Sequence, residues 1–174
     1  MMRNQMTGAR RAFMAALLAA ACAPAWAQPE SKTCAMVLMH DAGSSPVSVA
    51  GFGRKLQATC MPKVVEMPWS QRRNNDKDLP GAWVEINRHI KGLREQGFKR
   101  VLVAGYGFGA NAALAYSGEA GQADGVIALA PEARAAGLGE LPATAARMAQ
   151  RIPALWIIGT DDPLHERGET FAYA

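Results

Sequence analysis

No stretch of the sequence reaches the ~20 consecutive apolar residues that a membrane-spanning helix needs. Internal repeats and low-complexity segments are absent as well. There is no G-x-G-x-x-G: the glycine-rich turn reads Gly105-x-Gly107-x-Gly109, follows the third expected strand and has no Walker lysine after it, which argues against a nucleotide site. Histidine and cysteine number three each. A metal set of His40, Asp41, Asp161 and Asp162 has no helical or paired-ligand spacing behind it, so no metal and no other cofactor is expected. Strong charge is lacking too. The net charge of +4 includes three arginines in residues 1–27, which carry no acid, so +1 remains beyond them. That balance gives no footprint for nucleic acid or an anionic membrane surface.

What is present fits one globular domain in 174 residues, with 49% apolar and 20% charged residues. Residues 1–27 read as a cleaved secretory signal. Arg3, Arg10 and Arg11 form its basic region, 12–21 its apolar stretch, and Ala25-Trp26-Ala27 its small-x-small cleavage site. Residues 10–14 loosely resemble a twin-arginine signal, and a lipidated Cys22 is the weaker alternative. The expected location is periplasmic or secreted, with residues 28–174 as the mature domain. In an oxidising compartment Cys34 and Cys60 are a disulfide candidate, since both fall at the same edge of the expected sheet.

Continuous apolar runs mark strands buried on both faces at 35–39, 101–104, 126–129 and 154–158, with a shorter one at 63–67. Between them, 47–59, 79–96 and about 110–118 read as helices, and 132–150 as irregular or weakly helical. Strands alternating with helices imply an α/β fold: an open, parallel five-stranded sheet of order 2-1-3-4-5 flanked by helices. Ligands of such sheets sit at the carboxyl ends of the strands, here between the first and third.

Three turns at those ends carry chemistry. His40-Asp41-Ala42-Gly43-Ser44-Ser45 is small enough for its N–H groups to point inward and hold an oxyanion. Gly105-Tyr106-Gly107-Phe108-Gly109 has the place and spacing of the G-x-S-x-G nucleophile elbow. Its flanking glycines are intact, but its centre, Gly107, has no hydroxyl to attack a carbonyl. The Phe108 N–H is half of a potential oxyanion hole. Gly159-Thr160-Asp161-Asp162-Pro163 offers a carboxylate that could orient a histidine, although Asp and Pro are also ordinary turn residues.

In this order and spacing the three turns resemble the α/β-hydrolase superfamily, from about Cys34 onward. The resemblance implies an HG-type oxyanion loop at His40, with Asp41 where glycine is usual. It places the nucleophile at Gly107 and the triad acid at Asp162. Glu66-Met67-Pro68-Trp69-Ser70 resembles a segment of a bacterial subgroup. It also implies a catalytic histidine after one further strand, which the sequence does not reach, and His165 comes too soon after Asp162 to replace it. The short 131–152 segment implies an open site without a lid. The expected protein is a hydrolase relative impaired in catalysis, a small-molecule binder or a shortened hydrolase. The alternative is an ester or amide hydrolase with a nucleophile near Ser44 or Ser45. With its last strand missing, 154–158 becomes an apolar edge that invites self-association.

Overall fold

A computed structural model describes residues 33–162, apart from 120, 142, 145, 146 and 148–150. The expected signal segment 1–27, Cys22 and His165 lie outside the described residues. Among the described residues five parallel strands form the sheet: β1 (Cys34–Met39), β2 (Met61–Val65), β3 (Arg100–Tyr106), β4 (Val126–Leu129) and β7 (Ala154–Ile157). Their order is β2-β1-β3-β4-β7, so the expected 2-1-3-4-5 topology holds. Helices α1 (Val47–Leu56), α2 (Leu79–Glu95) and α3 (Phe108–Glu119) make the crossovers.

The continuous apolar run of β1 follows from its central place. Ala35 to Met39 are at most 1% exposed because both faces of the strand are covered. On one face, β1, β3 and β4 pack against α2 and α3; on the other, Met36, Leu38 and Ala104 meet α1 through Val49. Asp78 starts α2 by accepting the Gly81 N–H at 3.2 Å, and Ala82, Ile86, Ile90 and Leu93 recur at helical spacing to form its buried stripe. Each isoleucine or leucine so buried contributes about 1.5–3 kcal/mol. Helix α3 has no polar stripe, and every residue from Phe108 to Ser117 is buried. Such a helix, apolar all round, must sit inside the molecule, and its N-terminus is thereby held against the end of β3.

Two expectations need correction. The second strand begins at Met61, two residues before the expected start at Lys63. Pro62 reads as a breaker, but β2 is an edge strand and proline is tolerated there. The segment expected to be irregular holds an antiparallel pair, β5 (Arg134–Ala135) with β6 (Gly139–Glu140). Gly137 and Gly139 at φ +79° and +86° make its turn, while Leu138 and Leu141 are buried in the core. Two-residue strands have too little sequence to show a period.

Cys34 and Cys60 are joined by a disulfide, with Cα atoms 4.7 Å apart. It ties the start of β1 to the residue before β2. Closing a loop of 26 residues constrains the unfolded chain by about 3 kcal/mol in the loop-entropy account.

Candidate functional site

Strand β3 runs through Tyr106, and α3 starts at Phe108, so the whole turn between them is Gly107, at φ +56°. So tight a turn forces the residues two positions before and after it to be glycine. A Cβ on Gly105 would lie 2.7 Å from the Ala110 nitrogen and closer still to the Gly109 carbonyl. A Cβ on Gly109 would lie 2.5 Å from the His40 carbonyl oxygen and 3.0 Å from that of Met39. The Gly107 N–H donates to the Leu129 carbonyl at 3.1 Å, which fixes the turn to the end of β4.

The loop after β1 meets this turn through one side chain. Asp41 Oδ1 accepts the Phe108 N–H at 2.8 Å and the Ala42 N–H at 2.8 Å. The one carboxylate oxygen thus holds both amides, which are the two expected from the sequence to face an oxyanion. A Cβ on Gly107 would stand 2.6 Å from Asp41 Cγ and nearer to Oδ1. The carboxylate thus also takes the space where a side chain at position 107 would begin, so Gly107 and Asp41 fit one another sterically.

His40 is a structural residue. It is fully buried, its Nδ1–H donates to the Asp41 carbonyl at 2.7 Å, and its Nε2 accepts the Met67 N–H at 3.1 Å. Burial holds its pKa below the ordinary 6.5, against the smaller opposing pull of the Asp41 carbonyl and the charges of Glu66 and Asp41. Both ring nitrogens are engaged and the ring is neutral, so His40 is no base and no metal ligand. Among the described residues no group of three or more His, Cys, Asp or Glu could hold a metal.

The segment 66–75 braces the loop. Trp69 is fully buried, and its Nε1–H donates to the His40 carbonyl at 2.8 Å. Its ring meets Phe108 edge to face at 5.1 Å. The Gly43 N–H donates to the Trp69 carbonyl at 2.8 Å, and the Gln71 N–H to that of Ser44 at 2.9 Å. Among the described residues, no hydrogen bond joins the Ser44 or Ser45 hydroxyl to a base; the Ser45 carbonyl serves the start of α1 by accepting from Ser48.

Five residues enter the site without having been singled out in the sequence: Asn111, Glu132, Lys77, Arg134 and Ala130. Asn111, buried in α3, donates to the Glu132 carbonyl at 2.8 Å and accepts the Glu132 N–H at 2.7 Å, pinning the loop after β4. A lone amide in an otherwise apolar helix was the available signal. Burial raises the Glu132 pKa, the Asp41 charge adds to this, and Lys77 opposes it. Lys77 Nζ lies 5.1 Å from the centroid of the Phe108 ring. Lys77, Glu132 and Arg134 line a depression of about 580 Å³ with the β5–β6 hairpin. At the end of β4, Ala130 stands at φ +42°, a strained conformation for a residue with a side chain.

Asp162 lies in the turn after β7, its N–H donating to the Gly159 carbonyl at 3.1 Å. The structure thus brings His40, Asp41, Ala42, Gly105, Gly107, Phe108 and Gly109 together, and leaves Asp162 on the following turn.

The structure matches one assigned to the α/β-hydrolase superfamily. A protein so described from Xanthomonas campestris superposes with TM-score 0.51 at 18% identity, over 75% of this chain and 74% of its own. A lipase/esterase from Lactobacillus plantarum gives 0.52 at 15%, over 79% and 71%. The chain has the α/β-hydrolase fold. A protein of unknown function from Agrobacterium tumefaciens gives 0.55 at 16% identity, over 83% of this chain and 93% of its own. No protein-family model matches the sequence, and no curated protein does. Within this fold, Gly107 is the turn after β3 and Asp41 lies in the loop after β1 that faces it.

Proposed function

We propose that this is an exported protein of the α/β-hydrolase fold in which the hydrolytic centre is closed, leaving a small-molecule binding site at the strand ends. The observation that carries the reading is the Asp41 carboxylate on the Phe108 and Ala42 amides, in the space a Gly107 side chain would need. An ester carbonyl approaching the elbow meets a negative charge where its own developing charge should be stabilised. It also finds no hydroxyl at Gly107. Residual acceleration from the oxyanion hole, which survives loss of a triad serine elsewhere, is removed as well, because the hole is filled.

The ligand surface in this reading is the depression beside Lys77, Glu132 and Arg134. Its mixed charge suits a small polar molecule. The Cys34–Cys60 disulfide supports an oxidising compartment, as does the signal-like segment 1–27.

The test is hydrolysis of p-nitrophenyl butyrate. The native chain and Gly107→Ser are both expected to match the rate in buffer, the variant because its new side chain runs into Asp41. Turnover by either one, saturable in substrate, overturns the reading.

A further inference from the structure

Among the described residues, a helix covers one face of the sheet only on its β1–β2 side. Helix α1 lies over the β1–β2 side, through contacts with Met36 and Leu38. Toward β7 the same face carries Leu102, Ile127 and Leu155, where register puts Ile127 opposite Leu155 and Ala104. Leu155 is 54% exposed. These residues floor a depression of about 660 Å³, which also takes in Lys99, Arg100, Gly125 and Pro153. A second of about 520 Å³ continues it past Lys99, Arg100 and Leu102 to Thr33 and Thr59. The trough runs along the starts of the strands, at the opposite end from Gly107.

Its charge is one-sided. Asp124, the one acid in its wall, is held by Arg94 at 3.1 Å and by the Val101 N–H at 2.7 Å. Lys99 and Arg100 have no ion-pair partner among the described residues. An apolar floor of three aliphatic side chains with two uncommitted cations at its rim is complementary to a chain with an anionic head. We infer that this trough binds a single-chain amphipathic carboxylate, the alkyl chain on Leu102, Ile127 and Leu155 and the head at Lys99 and Arg100. A volume of this size lies within the range of small-molecule sites, ~300–1,000 Å³.

Calorimetric titration of the full chain with decanoate tests this. One saturable site is expected, roughly tenfold tighter than for octanoate from two more buried CH₂ groups. Decanol, lacking the charge, should bind at least tenfold more weakly than decanoate. Lys99→Gln with Arg100→Gln should remove that preference, and Leu155→Asp should abolish binding of both. Lys91→Ala, on helix α2 across the sheet, should change nothing. No saturable binding, equal affinity for decanol and decanoate, or loss of binding in Lys91→Ala overturns the proposal. So does a dimer of the ligand-free chain in sedimentation that Leu155→Asp dissolves, since a second copy then occupies the face.

Discussion

The fit between Asp41 and Gly107 can be measured as a coupling energy. Gly107→Ala introduces only a Cβ. Two costs follow. At φ +56° a side chain is disfavoured by about 1–2 kcal/mol. The Cβ also stands 2.6 Å from Asp41 Cγ, so the carboxylate must leave the Phe108 and Ala42 amides. Hydrogen bonds to a charged group contribute about 1.5–3 kcal/mol each, and the lower end applies where water can replace the lost partner. Gly107→Ala should therefore destabilise by about 4 kcal/mol. In Asp41→Gly the obstacle is already gone, and the same substitution should cost only the backbone share, about 1–2 kcal/mol. Urea unfolding of the four proteins, followed by circular dichroism, should thus give a coupling of about 2–3 kcal/mol between the two sites. Costs that add to within about 0.5 kcal/mol would show that the carboxylate does not occupy the elbow space.

Gly109→Ala should fail to give folded protein, because its Cβ meets two backbone oxygens, those of His40 and Met39, which cannot swing aside as a side chain can; a native-like thermal transition would contradict this. Stability should fall as pH drops below about 6.5. Burial lowers the pKa of both His40 and His89, so the unfolded chain takes up protons that the fold refuses. Glu132 has the opposite sign: its pKa is raised above 4.5, so its contribution is present at low pH and lost as pH rises. Melting temperatures in Glu132→Gln from pH 7.5 down to 5 isolate the histidine effect, and a flat or rising profile toward acid would refute it. Ala130→Gly should raise stability by about 1 kcal/mol by relieving φ +42°, read from the urea midpoint; a loss would show that the conformation is not strained.

Much of the fold was legible because buried parallel strands write themselves as apolar runs. Ala35 to Met39 and Val126 to Leu129 are examples, and the alternation with helices gave the sheet order. Pro62 hid the start of β2, since a breaker and an edge-strand proline look alike in one sequence. The tight turn from β3 into α3 was legible from Gly105, Gly107 and Gly109, because close backbone approach leaves glycine no substitute. The meaning of Asp41 was not. Asp41 and Gly107 are separated by 66 positions, and only folding shows how closely they stand. His40 illustrates the opposite failure. A histidine at a strand end invites a catalytic or metal reading, yet its two hydrogen bonds to backbone groups commit it to holding the loop. Asn111 and Glu132 pair through backbone atoms of Glu132, a contact that no side-chain pattern encodes.

Incubation of the native chain with a fluorophosphonate, followed by intact-mass measurement, tests the closed centre most directly. Such a reagent needs an activated hydroxyl and an open oxyanion hole at once. With Gly107 at the elbow and Asp41 on the Phe108 amide, the account predicts an unchanged mass after prolonged exposure. A single phosphonyl adduct mapped to Ser44 or Ser45 would contradict it, and would show that a nucleophile works beside the carboxylate.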